Sequence, residues 1–521
     1  MIILKKLCRT LTSFIISVFI FSFIYIPSNA VCIDYITYSI SGTGAACYVD
    51  SNYQYMISGD VVIPETVTIG GEELEVIKIE YSSSHSGFSG CTNITSLEIP
   101  SGVKTVGNQA FSGCTSLEKV EFKGTTCSIG KNCFNGCEKL ESVTLPSKLA
   151  EISDGCFKGC NALSDCNIPD TVAEIGKEAF YSCGFTSVDI PANVTSIGDL
   201  AFGNNKSCKS FNVSSSNTAY KSVYGVLYTN DGKTLVQFPI GSTYKICNVA
   251  SGTENIAPQA FAFSTLKTVN MPSSLLTIGD DAFKESYSLS SVTLPSGLTT
   301  IGERAFLKCT ALKSITIPGT VTDFENSFVQ SGLETVIIES GIKEISPHAF
   351  EDCKSLKSVT VAASVEKIGI AAFKNCTALE SIKIPSAVSE IGTNAFYGCN
   401  DALFTVYKSS YGASWAEDNG VSFNLIDVTG IKIISKPSKL SYNYKQSLDS
   451  SGLSVVKVMS DGSEIELSSG EYKLENTYFS STGTKAVKVV YGDFSASFDV
   501  SVSYSFVQWI IMILLLGFLW Y

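Results

Sequence analysis

At 521 residues the chain is long enough for several domains or one extended repeat array, and 45% hydrophobic against 17% charged residues excludes a disordered chain. A formal net charge of −12 leaves no basic surplus to release counterions from phosphates, which argues against nucleic acid as a partner. Two histidines, His85 and His348, are poor stock for acid–base catalysis or a histidine-based metal site.

The first element is a leader. Lys5, Lys6 and Arg9 precede a mostly apolar run over residues 11–26, and Pro27-Ser-Asn-Ala30 follows. A charged start, an apolar middle and a Ser-x-Ala ending read as a secretory signal peptide over residues 1–30, with a retained signal anchor as the alternative. Residues 31–87 are expected to form an N-terminal cap and a first degenerate repeat.

From there the period dominates. Phe88, Phe111, Phe134, Phe157 and Phe180 are each 23 residues apart, and Phe202 follows after 22. After a gap come Phe261, Phe283, Phe306, Phe328, Phe350, Phe373 and Phe396, spaced by 22 or 23, making 13 copies. A fixed period of this size means a solenoid, whose copies bury their apolar faces only by stacking. In one copy, Leu312-Lys-Ser-Ile315-Thr-Ile317-Pro318, the alternation at Ile315 and Ile317 predicts a short strand with one face buried, ended by a proline that cannot donate to a ladder. A return path of the form Val-x-x-Ile-Gly follows, as at residues 194–198, then Ala-Phe as at Ala305-Phe306. The glycines (Gly198, Gly279, Gly302, Gly392) are expected where a side chain would obstruct a turn.

These residues resemble the BspA-type leucine-rich repeats of bacterial and some protozoan surface proteins. The unit here reads Leu-x-x-Ile-x-Ile-Pro-x-x-Val-x-x-Ile-Gly-x-x-Ala-Phe-x-x-Cys, and the resemblance spans roughly residues 61–424. It implies a leucine-rich-repeat solenoid, mainly β with short parallel strands, over residues 88–424. It also implies adhesion at a cell surface, to host matrix proteins or to other microbes.

Residues 214–249 interrupt the period. Inside them Val226-Leu-Tyr-Thr and Thr234-Leu-Val-Gln flank Asn230-Asp-Gly, which predicts a β-hairpin projecting from the solenoid. Residues 413–419 read as a short helix capping the open end. Nine cysteines sit three residues after a repeat Phe: Cys91, Cys114, Cys137, Cys160, Cys183, Cys309, Cys353, Cys376 and Cys399. A column of small buried side chains and a disulfide framework both fit that regularity.

Beyond the repeats, Ile431-Lys-Ile-Ile, Leu453-Ser-Val-Val-Lys-Val, Glu464-Ile-Glu-Leu, Lys485-Ala-Val-Lys-Val-Val and Ser495-Ala-Ser-Phe-Asp-Val read as short strands of a small all-β sandwich over residues 428–503. The run Pro437-x-x-Leu440-x-Tyr442, Leu448-Asp449-x-x-Gly452-Leu453, Ser460-Asp-Gly and Val490-Tyr491-Gly resembles bacterial Ig-like domains of group 3, and the resemblance implies a spacer or carbohydrate-facing unit. Residues 506–521 form an uncharged apolar tail of roughly 24 Å as a helix, open to a marginal span, an interfacial anchor or a sorting role in a membrane or envelope.

No nucleophile elbow, HExxH or P-loop occurs, so the chain reads as a non-enzyme without cofactor or metal. The expected function is that of an exported surface binding or adhesion protein whose partner is an extracellular protein or glycan. A structural or spacer protein of the envelope is the alternative. The candidate binding face is the exposed residue between the two buried strand positions of each copy: Glu98, Glu121, Thr144, Asn167, Asp189 and Asn212, then Asn270, Thr293, Thr316, Ile337, Thr360 and Lys383. Three residues earlier stand Glu118 and Glu141 in early copies and Lys267, Lys313 and Lys357 in late ones, which predicts a charge gradient along the strand side.

Overall fold

A computed structural model describes residues 30–80 and 87–517. The expected signal peptide, apart from Ala30, and His85 lie outside the described residues. The fold is a mainly-β repeat solenoid of about 15 turns with parallel strands and little helix. Two compact units, Met1–Leu312 and Lys313–Tyr521, make up the chain.

In the first unit, three antiparallel strands (Ala30–Ile33, Ile36–Ser41 and Gly44–Val49) close the N-terminal end. The last of them pairs in parallel with Glu72–Ile79, which leads into two-residue strands Thr105–Val106 and Ser128–Ile129 on the rear of the coils. On the front, Gly59–Val62, Ile94–Ile99, Lys119–Phe122 and Ser142–Thr144 run parallel. Front strands carry the expected alternation, with Leu97, Ile99, Val120 and Phe122 buried. Rear strands need only two residues because a single inward Ile or Val anchors each, as Ile152, Ile175 and Ile197 do across Glu151–Ile152, Glu174–Ile175 and Ser196–Ile197.

The repeat phenylalanines fill the interior. Phe111, Phe134 and Phe157 stack with centroids 5.4 Å apart and planes within 4°. Two residues before and two after each of these rings the backbone turns left-handed, at Gln109 and Gly113, then at Asn132 and Gly136. A non-glycine residue there carries a cost on the order of 1–2 kcal/mol, which stacking of the fully buried rings outweighs. The glycines of the Ile-Gly step have a different reason from the expected turn. Gly198, Gly279 and Gly302 have no positive φ; a Cβ on them would sit 2.5, 2.7 and 2.5 Å from a backbone nitrogen of the preceding coil, at Lys177, Pro258 and Asp280.

The cysteine column is a column of hydrogen-bond donors. The Sγ–H groups of Cys114, Cys137, Cys160 and Cys183 donate to the carbonyl of the preceding coil's phenylalanine at 3.1–3.2 Å. Where the sequence has Ser286 in place of cysteine, its Oγ donates to Phe261 O at 2.9 Å. The described cysteines are free thiols, and burial raises Cys160 and Cys183 of the column above the ordinary thiol range. The residue type therefore suits a small second donor at a buried carbonyl that also accepts the backbone N–H three residues on.

The interruption is not a projecting hairpin. Val226–Thr229 and Thr234–Gln237 pair antiparallel as expected, but a further strand, Tyr220–Val223, joins them, and Thr234–Gln237 pairs in parallel with the rear strand Asn255–Ile256. Leu227, Tyr228, Leu235 and Phe238 are buried. The segment is a modified coil inside the wall, because its alternate apolar side chains need a core to enter. Phe238 stacks on Phe261 at 5.3 Å, and Gln237 fills the usual alanine position with Nε2 donating to Phe238 O and Ala260 O.

In the second unit the front strands Ser314–Ile317, Thr335–Ile338, Ser358–Val361, Ser381–Lys383, Leu403–Tyr407 and Phe423–Ile426 form one parallel sheet. Ile315 and Ile317 point inward as read from the sequence. The capping helix is Tyr411–Asp418: Ser410 Oγ accepts from Ala413 N at its start, and Trp415 packs on Phe396 and Phe404, ending the ring column. Beyond it lie a three-stranded sheet (Val428–Ser435, Ser454–Met459, Glu464–Leu467) and a four-stranded sheet (Ser441–Asn443, Phe494–Ser503, Gly483–Tyr491, Lys473–Glu475). Val455 and Leu467 of one and Val487, Phe498 and Val500 of the other share one core. The tail begins as the helix Phe506–Gly517, started by a reciprocal cap in which Gln508 N donates to Ser505 Oγ and Ser505 N to Gln508 Oε1. Among the described residues no helix is long and apolar enough to cross a membrane.

Candidate functional site

Front strands pair in register, so their outward residues stack into rows. Glu98, Glu121 and Thr144 stand on adjacent rungs, preceded by Val62. Asp189 pairs with Asn212, and Asn270 lies between Asn248 and Thr293. In the second unit Thr316, Ile337 and Thr360 are adjacent, and Lys383 is followed by Thr405 and Asn424. The sequence reading missed Val62, Asn248, Thr405 and Asn424. Asn248 carried a signal, since it stands 22 residues before Asn270.

Asn167 departs from the row. It is exposed, but residues 164–169 form no strand. Asp165, Cys166 and Asn167 there replace the β-branched pattern of the neighbouring copies, and Cys166 is a weaker inward anchor than Val or Ile. The front ladder accordingly stops at Ser142–Thr144 and resumes with Val188–Ile190.

The electrostatics of the rows are largely settled within the protein. Lys123 Nζ lies 2.6 Å from Glu121 and 3.4 Å from Glu98, and Lys119 adds a contact of 3.3 Å to Glu121. Lys123, then Lys119, holds the Glu121 carboxyl below its ordinary range. On the flank, Glu334 bridges Lys313 at 3.1 Å and Lys357 at 3.4 Å, so the expected charge gradient is neutralised at that point. Lys383 is engaged as well. Its Nζ lies 2.5 Å from Asp461, in the turn between Ser454–Met459 and Glu464–Leu467, and 5.1 Å from the Tyr407 ring centre. Burial raises the Asp461 carboxyl, but Lys383 and the Ser463 hydroxyl and backbone outweigh it and hold it at about 2.

Apart from the Asp189 carboxylate, what the rows leave for a partner is therefore uncharged chemistry. Asn212 Nδ2 donates to Asp189 Oδ1 at 2.7 Å, and Asn270 Nδ2 to Asn248 Oδ1 at 2.7 Å. An asparagine that gives one N–H to its neighbour keeps a second N–H and a carbonyl oxygen. Thr293, Thr316 and Thr360 add exposed hydroxyls. Among the described residues no group of three or more His, Cys, Asp or Glu is placed to hold a metal ion.

Residues 82–217, 241–357 and 343–473 match the family model of the BspA type leucine rich repeat region, in six copies. The stretch left unmatched between the first two ranges is the modified coil. No curated protein shows significant similarity to the chain. Among solved structures, a leucine-rich repeat protein from Eubacterium ventriosum is 26% identical over 70% of this chain and 93% of its own, with a TM-score of 0.55. The pneumococcal vaccine antigen PcpA is 19% identical over 76% of this chain and 98% of its own, with a TM-score of 0.51, and shares the fold. Matched over most of its length by a repeat scaffold, with no catalytic family indicated, the chain belongs to the BspA-type leucine-rich-repeat family.

Proposed function

We propose that this is an exported cell-surface binding protein whose front strand rows contact an extracellular protein or glycan. One observation carries the reading: successive coils present outward amide and hydroxyl groups in register on a wall whose inward positions are fully used by the core. Such a repeating face suits an extended or multivalent partner. Glu98, Glu121 and Lys383 of the rows contribute less, because neighbours already pair them.

The charged-then-apolar leader supports export, and the apolar tail supports retention at an envelope or membrane. The two-sheet module, through its likeness to bacterial Ig-like domains, would space the solenoid from that surface. The contacts of Lys383 and Asp461, together with Tyr407, Ile426 and Met459 in one apolar cluster, favour a spacer that is fixed to the last coils. A purely structural protein of the envelope is the competing reading.

Attachment assays separate the two. Cells lacking the protein are expected to lose attachment to matrix-coated or glycan-coated surfaces while their envelope stays intact. Intact attachment with a leaky envelope would point to the structural role instead.

A further inference from the structure

The front wall has a gap at the modified coil. Phe211–Val213 is the last strand of its sheet, Ile246–Asn248 is the first of the next, and no front strand links them. The free edge of Phe211–Val213 is taken by a tight turn: Phe211 N donates to Gly225 O at 2.9 Å, and Ser222 Oγ donates to Phe211 O at 2.6 Å. Val223 and Val226 pair across the turn, which leaves Tyr224 and Gly225 as its two central residues with φ of 52° and 81°.

That turn places a tyrosine where folding does not ask for one. Two successive left-handed residues suit Asn-Gly, whereas a bulky side chain at the first is a steric outlier. The tyrosine ring returns nothing to the core, since Tyr224 is 89% exposed. By contrast Tyr35, also left-handed, packs on Tyr53 with ring centres 5.6 Å apart. A strained, exposed aromatic without a packing role points to recognition. Its neighbour on the same strand edge is the rung of Asn212, locked to Asp189, and the next front sheet begins with the Asn248–Asn270 pair.

We infer that this gap is a glycan-binding site, with Tyr224 as the stacking platform and the Asp189–Asn212 ladder as its polar partner. A neutral sugar presents an apolar C–H face and a rim of hydroxyls. An exposed ring fits the first, and amide and carboxylate groups with fixed rotamers fit the second at little ordering cost. A protein partner would instead call for a continuous desolvated apolar centre around the ring; Ile246 and Tyr244 are exposed at the start of the next front sheet, but the rung beside the turn is the polar Asp189–Asn212 pair. The inference rests on the reading of the front rows as the binding face and names a ligand class for one part of it.

The test uses the full chain, with xylan, mannan, a β-glucan and a chitin hexamer as probes in affinity electrophoresis and calorimetry. At least one probe is expected to bind wild type. Tyr224→Asn and Tyr224→Ala should weaken that binding at least tenfold, and Asn212→Ala should weaken it severalfold. Tyr224→Asn should unfold at the same temperature as wild type or higher, because asparagine suits the left-handed position, so a loss cannot be laid to misfolding. Unchanged affinity in Tyr224→Asn, or no binding of any probe by wild type, overturns the inference. If wild type binds no probe yet still attaches to matrix-coated surfaces, only the glycan site falls; if it does neither, the surface-binding reading falls too.

Discussion

Two stretches of the same wall invite comparison: the regular coils from Phe88 to Cys183, and the modified coil between Phe202 and Phe261. In the first, each ring from Phe111 to Phe180 stacks on two others, each column cysteine from Cys114 onward has its carbonyl, and rear strands pair from coil to coil except between Ser128–Ile129 and Glu151–Ile152. In the second, the ring column breaks between Phe202 and Phe238, and the backbone N–H of Ile197 at the edge of its rear sheet is met by a side chain, the Tyr220 hydroxyl at 2.9 Å. Among the described residues, the buried side-chain atoms without a partner are Asn204 Oδ1, Asn205 Nδ2, Ser242 Oγ and Gln259 Oε1, all between Phe202 and Phe261. Regular repeats satisfy themselves and leave little for a ligand to do. The irregular coil pays in unmet polar groups and a strained turn, and it holds the exposed tyrosine.

The largest expected effect lies in the regular stretch. Phe157→Ala removes a ring stacked on both sides and should destabilise by about 3–5 kcal/mol, with damage confined to adjacent coils. Phe238→Ala removes a ring with one stacked neighbour beside a break and should cost less, about 2–3 kcal/mol. Denaturant unfolding followed by local hydrogen exchange reads both. Equal losses at the two positions would erase the energetic distinction between the stretches.

Glycine at the Ile-Gly step sharpens the same point. A Cβ at Gly302 would lie 2.5 Å from the backbone nitrogen of Asp280, which no rotamer change relieves. Gly302→Ala should therefore cost about 1–3 kcal/mol as overpacking. A thermal midpoint matching wild type would mean that the coils part more easily than their ladder hydrogen bonds suggest.

The cysteine column gives a smaller and more selective effect. Cys160→Ser keeps a donor for Phe134 O and should change stability by less than about 1 kcal/mol, since Ser286 already plays that part elsewhere. Cys160→Ala removes one of two donors to the Phe134 carbonyl, which keeps the backbone N–H of Cys137 at 3.2 Å, and should cost about 0.5–1.5 kcal/mol. If serine proves as damaging as alanine, the thiol's size and polarizability matter rather than its hydrogen bond.

Much of the regular stretch was legible in the sequence, because a 23-residue spacing of phenylalanine and the Ile315, Ile317 alternation follow directly from ring stacking and strand pleat. Phe238 also keeps the 23-residue spacing to Phe261, but Gln237 in place of alanine hid it. Asn167 was misplaced because the period located it while Cys166 failed to anchor a strand. The cysteine role depended on an acceptor 26 residues earlier, on another coil, which spacing alone does not single out. Tyr224 was passed over because a Tyr-Gly pair is a poor signal for a two-residue turn, and that poor fit is what marks it in the structure.

The smallest effect tests how far the candidate face extends. Lys383 and Asp461 are 78 residues apart in sequence and meet at 2.5 Å where the two-sheet module touches the last coils. Both side chains are partly exposed, so the pair should be worth only about 0.2–1 kcal/mol and should weaken with salt. The sign with pH follows from the depressed carboxyl. A group whose folded pKa lies below its unfolded one stabilises the fold above the ordinary aspartate range, near 3.9, and loses that contribution as pH falls toward about 2. Asp461→Asn should thus open the strand Ser454–Met459 to hydrogen exchange more readily than wild type at pH 6, and the gap should narrow by pH 3 and close only as pH falls toward about 2. A gap that persists unchanged at pH 3, or that ignores salt, would assign the junction to the apolar cluster of Tyr407, Ile426 and Met459 alone. Lys383 would then be free to serve a ligand as the last charged rung of the front row, and the face would run on past the point where the module now closes it.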